Sequence, residues 1–133
     1  MSVVTPAGLV LLKIIAWTDR AGDMRRKDAM DIAYLLSTYE KIKDVTDTLF
    51  DGDNTQTMET YDWDISQAAA YLLGIHANDI AQPNTRQQVA RLVNGELGER
   101  NAERLIEEMC ERFDIQYERN KQLLSAFLAG FGL

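Results

Sequence analysis

The sequence predicts an all-α protein, a compact bundle of about five to seven helices that opens with an antiparallel helical hairpin. Three observations carry this. Apolar residues recur at helical spacing in nearly every segment, as in Ala102, Leu105, Ile106, Met109 and Phe113. Capping residues stand at segment starts, with Thr5 ahead of Pro6 as the clearest case. No stretch alternates in the two-residue period of a strand, and no repeat or low-complexity segment is present.

Taken in order, Thr5 caps a first helix with Pro6 at its first position, running to about Arg20. Gly22 suits the left-handed position after that helix, and Asp23 suits the cap of the next. A second helix follows from about Met24 to Tyr39, with Ala29, Ile32, Ala33 and Leu36 as its core stripe. "KIKDVTDTLF" reads as a short helix and "DGDNTQTMET" as a polar loop. "DWDISQAAAYLLG" reads as a helix ending at Gly74, followed by a short turn in "IHANDIAQ" before Pro83. Asn84 caps a helix carrying Val89, Leu92 and Val93. "ERNAERLIEEMCERF" is amphipathic, with Arg104 and Glu108 spaced as neighbours on its charged face. The last helix carries Leu123, Leu124, Phe127, Leu128 and Phe131.

The chain has 133 residues, 46% of them hydrophobic and 26% charged, which is ordinary for one domain able to bury a core. It reads as a single unit, with residues 1–41 forming the hairpin and 42–133 an acidic helical remainder. The first part carries six Lys/Arg against five Asp/Glu, the second eight against sixteen. A net charge of −7 argues against a general nucleic-acid surface, which relies on neutralising phosphates. Any phosphate chemistry belongs in the first third. The single cysteine, Cys110, excludes an internal disulfide framework and reads as a semi-buried, inert thiol. "MSVVTPAG" lacks the basic start of a signal peptide, and the apolar run Leu9–Trp17 is too short for a bilayer and is interrupted by Lys13. A cytoplasmic protein without membrane contact is expected.

The chemistry concentrates in "KIIAWTDRAGDMRRKDAMDIAYLL". Lys13 stands on a helix that is apolar nearly all round, where an unpaired ammonium is costly and seeks a partner. If the two helices run antiparallel about Gly22–Asp23, Lys13 lies level with residue 32, and Asp31 is beside it. Asp28 lies one turn nearer the turn, on the same face as Asp31. Lys13 and Arg20 share a face seven residues apart. By spacing alone this reads first as an ion-pair network that fixes helix register. "RRK" at Arg25–Arg26–Lys27 adds three cations to the start of the second helix, where the dipole already disfavours positive charge and attracts anions. Individually Arg25 and Arg26 read as solvated. Together with Lys13 and the aspartates the group resembles a phosphate-handling edge.

"GLVLLKIIAWTDRAGDMRRKDAMDIAYLLSTYE" resembles the later motifs of nucleotidyltransferases related to the bacterial abortive-infection toxins of toxin–antitoxin systems. In that family a lysine on an apolar helix is followed by an arginine, then by K/R-D-x-x-D-hydrophobic on the next helix. Here these are Lys13, Arg20, Lys27, Asp28 and Asp31. "AAAYLLGIHANDIA" is similar to the family's G-A-x-L-L-G segment. The resemblance implies catalytic roles for Lys13, Asp28 and Asp31 and phosphate binding by Lys13, Arg20 and Lys27. It also implies an N-terminal mixed sheet with a Gly-Ser loop and an Asp-x-Asp pair, holding Mg2+ on a nucleoside triphosphate.

This chain has no Gly-Ser pair. "DWD" at 62–64 has the Asp-x-Asp spacing, but it opens a helix and reads as a cap. "DGDN" at 51–54 has its glycine misplaced for a calcium loop and no terminal glutamate. No metal site is expected, and His76, with no cysteine or histidine neighbour, reads as a helix-end or core residue. The implied function is therefore the helical C-terminal half of a nucleotidyltransferase, inactive by itself. Its expected partner is the N-terminal catalytic domain, a cognate protein, or a second copy of the chain. The alternative is a stand-alone interaction or oligomerisation module using the acidic remainder or the apolar tail "LLSAFLAGFGL".

Overall fold

The computed structural model describes residues 5–19, 22–50, 55–110 and 113–133. Eight α-helices follow in order: α1 Pro6–Asp19, α2 Gly22–Thr38, α3 Lys43–Leu49, α4 Thr55–Thr60, α5 Ile65–Ile80, α6 Pro83–Val93, α7 Ala102–Met109 and α8 Phe113–Phe131. A 3-10 turn, Tyr39–Lys41, links α2 to α3. Among the described residues there is no strand, so the fold is all-α as the periodicity predicts. The count is one above the expected range because residues 55–60 are helical, with Met58 pinned in the core, where a polar loop is expected.

The α1–α2 hairpin is antiparallel. Lys13 pairs with Asp31, while Trp17, one turn further along α1, lies against Arg25, nearer the start of α2. Thr5 caps α1 as expected, accepting a hydrogen bond from the Gly8 amide at 3.1 Å. Helix α2 already begins at Gly22, so Gly22 and Asp23 belong to its first turn rather than to a linker and a cap. Ala29, Ile32 and Leu36 are fully buried, and Ala33 packs against the same cluster.

The centre of the molecule is the crossing of α5 and α8. A Cβ on Gly74 would lie 2.0 Å from the Phe127 carbonyl oxygen, and one on Gly130 the same distance from that of Tyr71. Each glycine thus admits the other helix's backbone. For this reason α5 does not stop at Gly74 but continues to Ile80: the glycine is a packing contact rather than a helix end. The tail "LLSAFLAGFGL" is not a free apolar surface. Leu123, Leu124, Ala126, Phe127 and Phe131 are buried in the chain's own core.

Two further boundaries differ from expectation. Helix α6 takes Gln82 as its N-cap and Pro83 in its first turn, so Asn84 lies inside the helix. Helix α7 is capped by Asn101, whose side chain accepts from the Arg104 amide at 2.8 Å, and ends at Met109, leaving Phe113 to open α8. Among the described residues no helix is long and apolar enough to cross a membrane.

Candidate functional site

Helix α1 buries Val10, Leu11, Ile14 and Trp17 along one face. Lys13 falls at the edge of that face, where its stem leans on the hairpin and its ammonium emerges along the seam with α2. The Nζ atom lies 2.8 Å from Asp31 Oδ2 and 3.6 Å from Asp28 Oδ1. The three side chains differ in exposure, and this difference decides their roles. Asp28 is 1% exposed, Lys13 27% and Asp31 41%. Asp28 is the buried partner, Asp31 the solvent-side partner, and Lys13 is shared between them. The Asp31 hydrogen bond, with the charges of both aspartates, raises the Lys13 pKa above its ordinary value against the opposing effect of burial. The lysine is therefore a permanent cation at neutral pH.

The sequence-predicted site residues divide. Lys13, Asp28 and Asp31 come together as the helical spacing requires. Lys27 is exposed one turn from Asp31 on the same face of α2. Arg20 lies outside the described residues.

Arg25 is not solvated as expected, whereas Arg26 is exposed as expected. The Arg25 guanidinium is buried, donating from Nε and Nη2 to the two Glu108 oxygens at 2.9 and 2.6 Å. Its centre lies 5.5 Å from the centroid of the Trp17 ring. The Trp17 indole N–H donates to the same Glu108 carboxylate at 3.1 Å. Arg26 donates to the Cys110 carbonyl at 3.2 Å, just beyond the end of α7. Arg100 donates to the carbonyls of Trp17 and Thr18 at 3.0 and 2.5 Å, satisfying the end of α1. Arg25 thus pins α2 to α7 and the exposed Arg26 reaches the residue that follows it, so among the described residues the cations left to this edge are Lys13, Arg26 and Lys27. Glu108 keeps the Arg104 neighbour that its spacing predicts, at 3.7 Å, but its contacts with Arg25 and Trp17, and those of Arg100 with the end of α1, were missed by sequence reasoning. Those partners lie more than eighty positions away, and no local spacing signals them.

The seam does not fit a magnesium ion of its own, because its two carboxylates converge on one ammonium. Among the described residues no group of three or more His, Cys, Asp or Glu is placed to hold a metal. The "DWD" segment is structural. Asp62 and Trp63 take left-handed backbone, φ 53° and 62°, and deliver Asp64 to the N-cap of α5. There Asp64 accepts from the Gln67 amide and from both Arg119 terminal nitrogens, at 2.6 and 3.0 Å. Those contacts, Arg119 first, hold its carboxyl far below the usual range. Cys110 is fully buried rather than semi-buried, its thiol donating to the Ile106 carbonyl. His76 is half-buried in the last turns of α5, where its Nδ1 shares a 2.6 Å hydrogen bond with the Tyr39 hydroxyl.

Comparison with known protein families, with characterised proteins and with solved structures returned no match.

Proposed function

We propose that this chain is the helical half of a nucleotidyltransferase-like assembly of the kind related to abortive-infection toxins. In this reading Lys13 binds the triphosphate of a nucleotide held by a catalytic sheet on an N-terminal domain or a cognate protein. The observation that supports it most is the graded Lys13 constellation: a permanently charged ammonium at a half-open seam, one partner buried and the other at the surface. An arriving phosphate competes with Asp31 for Nζ, because Asp31 regains hydration when displaced. Asp28 cannot rehydrate and keeps the lysine aimed. Lys27 adds a second cation on the same face. The division of labour makes Lys13 the phosphate ligand, Asp28 a positioning residue and Asp31 the exchangeable partner. Magnesium and the electrostatic work of transfer belong to the other half.

The exposed apolar side chains of Leu12, next to Lys13, and Tyr34, one turn from Asp31, also suit coverage by such a partner. They give the interaction-module reading a place in the same scheme.

The test is calorimetric titration of the chain with Mg-ATP, Mg-GTP and Mg-CTP, repeated with Lys13→Gln. Loss of a charge-assisted phosphate contact predicts about tenfold weaker binding with an unchanged circular dichroism spectrum. Equal nucleotide binding by the two folded proteins would refute the proposal.

A further inference from the structure

A cleft of about 450 Å³ opens beside the start of α1, walled by the 3-10 turn, α3 and α5. It shares no residue with the Lys13 seam. Its volume falls in the range of small-molecule sites, roughly 300–1,000 Å³. Tyr39 and Val45 are buried behind it, while Ile42 and Ile80 stand at its lining with exposed apolar surface that a ligand would cover.

We propose that this cleft binds a small organic ammonium ion with an apolar body. Three features select that chemistry. Among the described residues lining the cleft, Asp79 is the one carboxylate and none is a lysine or arginine. Tyr39 contributes an aromatic ring, and rings attract cations through their negative faces. The acidic balance of residues 42–133 adds a field of the same sign. Carboxylate, ring and apolar walls together are the elements of ammonium recognition, and they disfavour an anion of similar size.

The site is also preorganised. Tyr39 and His76 sit edge to face with centroids 6.1 Å apart, locked by their 2.6 Å hydrogen bond. His76 and Asp79 lie one turn apart on α5, sharing a face. A ligand entering the cleft therefore meets a fixed Tyr39–His76 pair and loses little to its ordering.

His76 is the only histidine in the chain, so its ring protons form an unambiguous reporter. The full chain is titrated with phenethylammonium chloride and, separately, with sodium 3-phenylpropionate, an anion with a comparable apolar body. The expected result is a saturable shift of the His76 ring signals with the cation alone. Asp79 is exposed, so Asp79→Asn leaves the fold intact and should weaken cation binding about fivefold. Equal binding of cation and anion, or unchanged cation affinity in Asp79→Asn, overturns the assignment of charge selection. No His76 shift up to about 20 mM ligand, weaker than any useful affinity, overturns the site itself.

Discussion

Replacing Glu108 by glutamine tests whether the cations at the start of α2 are structural. The substitution keeps the side chain's shape but removes the charge that takes two hydrogen bonds from Arg25 and one from the Trp17 indole. Arg25 and Glu108 are 11% and 14% exposed, so water cannot fully replace the lost carboxylate. Breaking one member of a buried pair costs about 3–5 kcal/mol. The remaining exposure and the second acid near Arg25, Glu99 at 3.4 Å, bring the expectation to about 2–3 kcal/mol. For a chain of this length that corresponds to a fall in melting temperature of about 6–12 °C. Urea unfolding followed by tryptophan fluorescence measures it directly, since Trp17 is buried in contact with the pair. The double variant Arg25→Met/Glu108→Leu removes both charges, and its loss should be well below the sum of the two single losses. A loss under about 1 kcal/mol for Glu108→Gln, or additive losses in the double variant, would refute the idea that this pair clamps α2 to α7.

Other expectations follow from the same geometry. Gly74→Ala places a methyl group 2.0 Å from the Phe127 carbonyl oxygen, so α5 and α8 must separate. Overpacking of about 1–3 kcal/mol or more should outweigh the ~1 kcal/mol gain in helix propensity, and chemical denaturation should show a net loss. Asp64 has its folded pKa depressed below the ordinary carboxylate value of 3.8, so its contribution is present above that pH and is lost as pH falls toward the folded pKa. Thermal melts of the wild type and Asp64→Asn should therefore differ at pH 6 and converge in strong acid; a constant gap would remove the Asp64–Arg119 pair as its cause. Lys13 carries the opposite sign. Its folded pKa is raised above 10.5, so its ion-pair stabilisation is complete below that pH and fades as pH rises through the folded value. Lys13→Gln and wild type should converge in stability only in strong alkali, and convergence already at pH 8 would contradict the raised pKa.

The legibility of the candidate site depended on how far apart its members lie in sequence. The Lys13–Asp31 pairing followed from counting residues back from a turn, because a short connection leaves two antiparallel helices only one register. Arg25 departs from its solvated reading for the same reason: its partner Glu108 lies on α7, and no count from the turn reaches there. The place of His76 near a helix end is legible in the sequence, but its partner Tyr39 is not, because the two meet across two helical elements rather than along one.

By itself the sequence determined the all-α class, the hairpin and its register, the Thr5 cap, and the role of Asp64 as a helix cap. These rest on interactions within a turn or two of helix, where the 3.6-residue period dictates which side chains meet. Only the tertiary structure decided that α5 runs through Gly74, that the apolar tail is core, that Arg25 is clamped by Glu108, and that Tyr39, His76 and Asp79 frame a cleft. In each case the deciding contact joins surfaces of helices distant in sequence. Which faces meet is fixed by burying the whole set of apolar stripes at once, and no single segment carries that information.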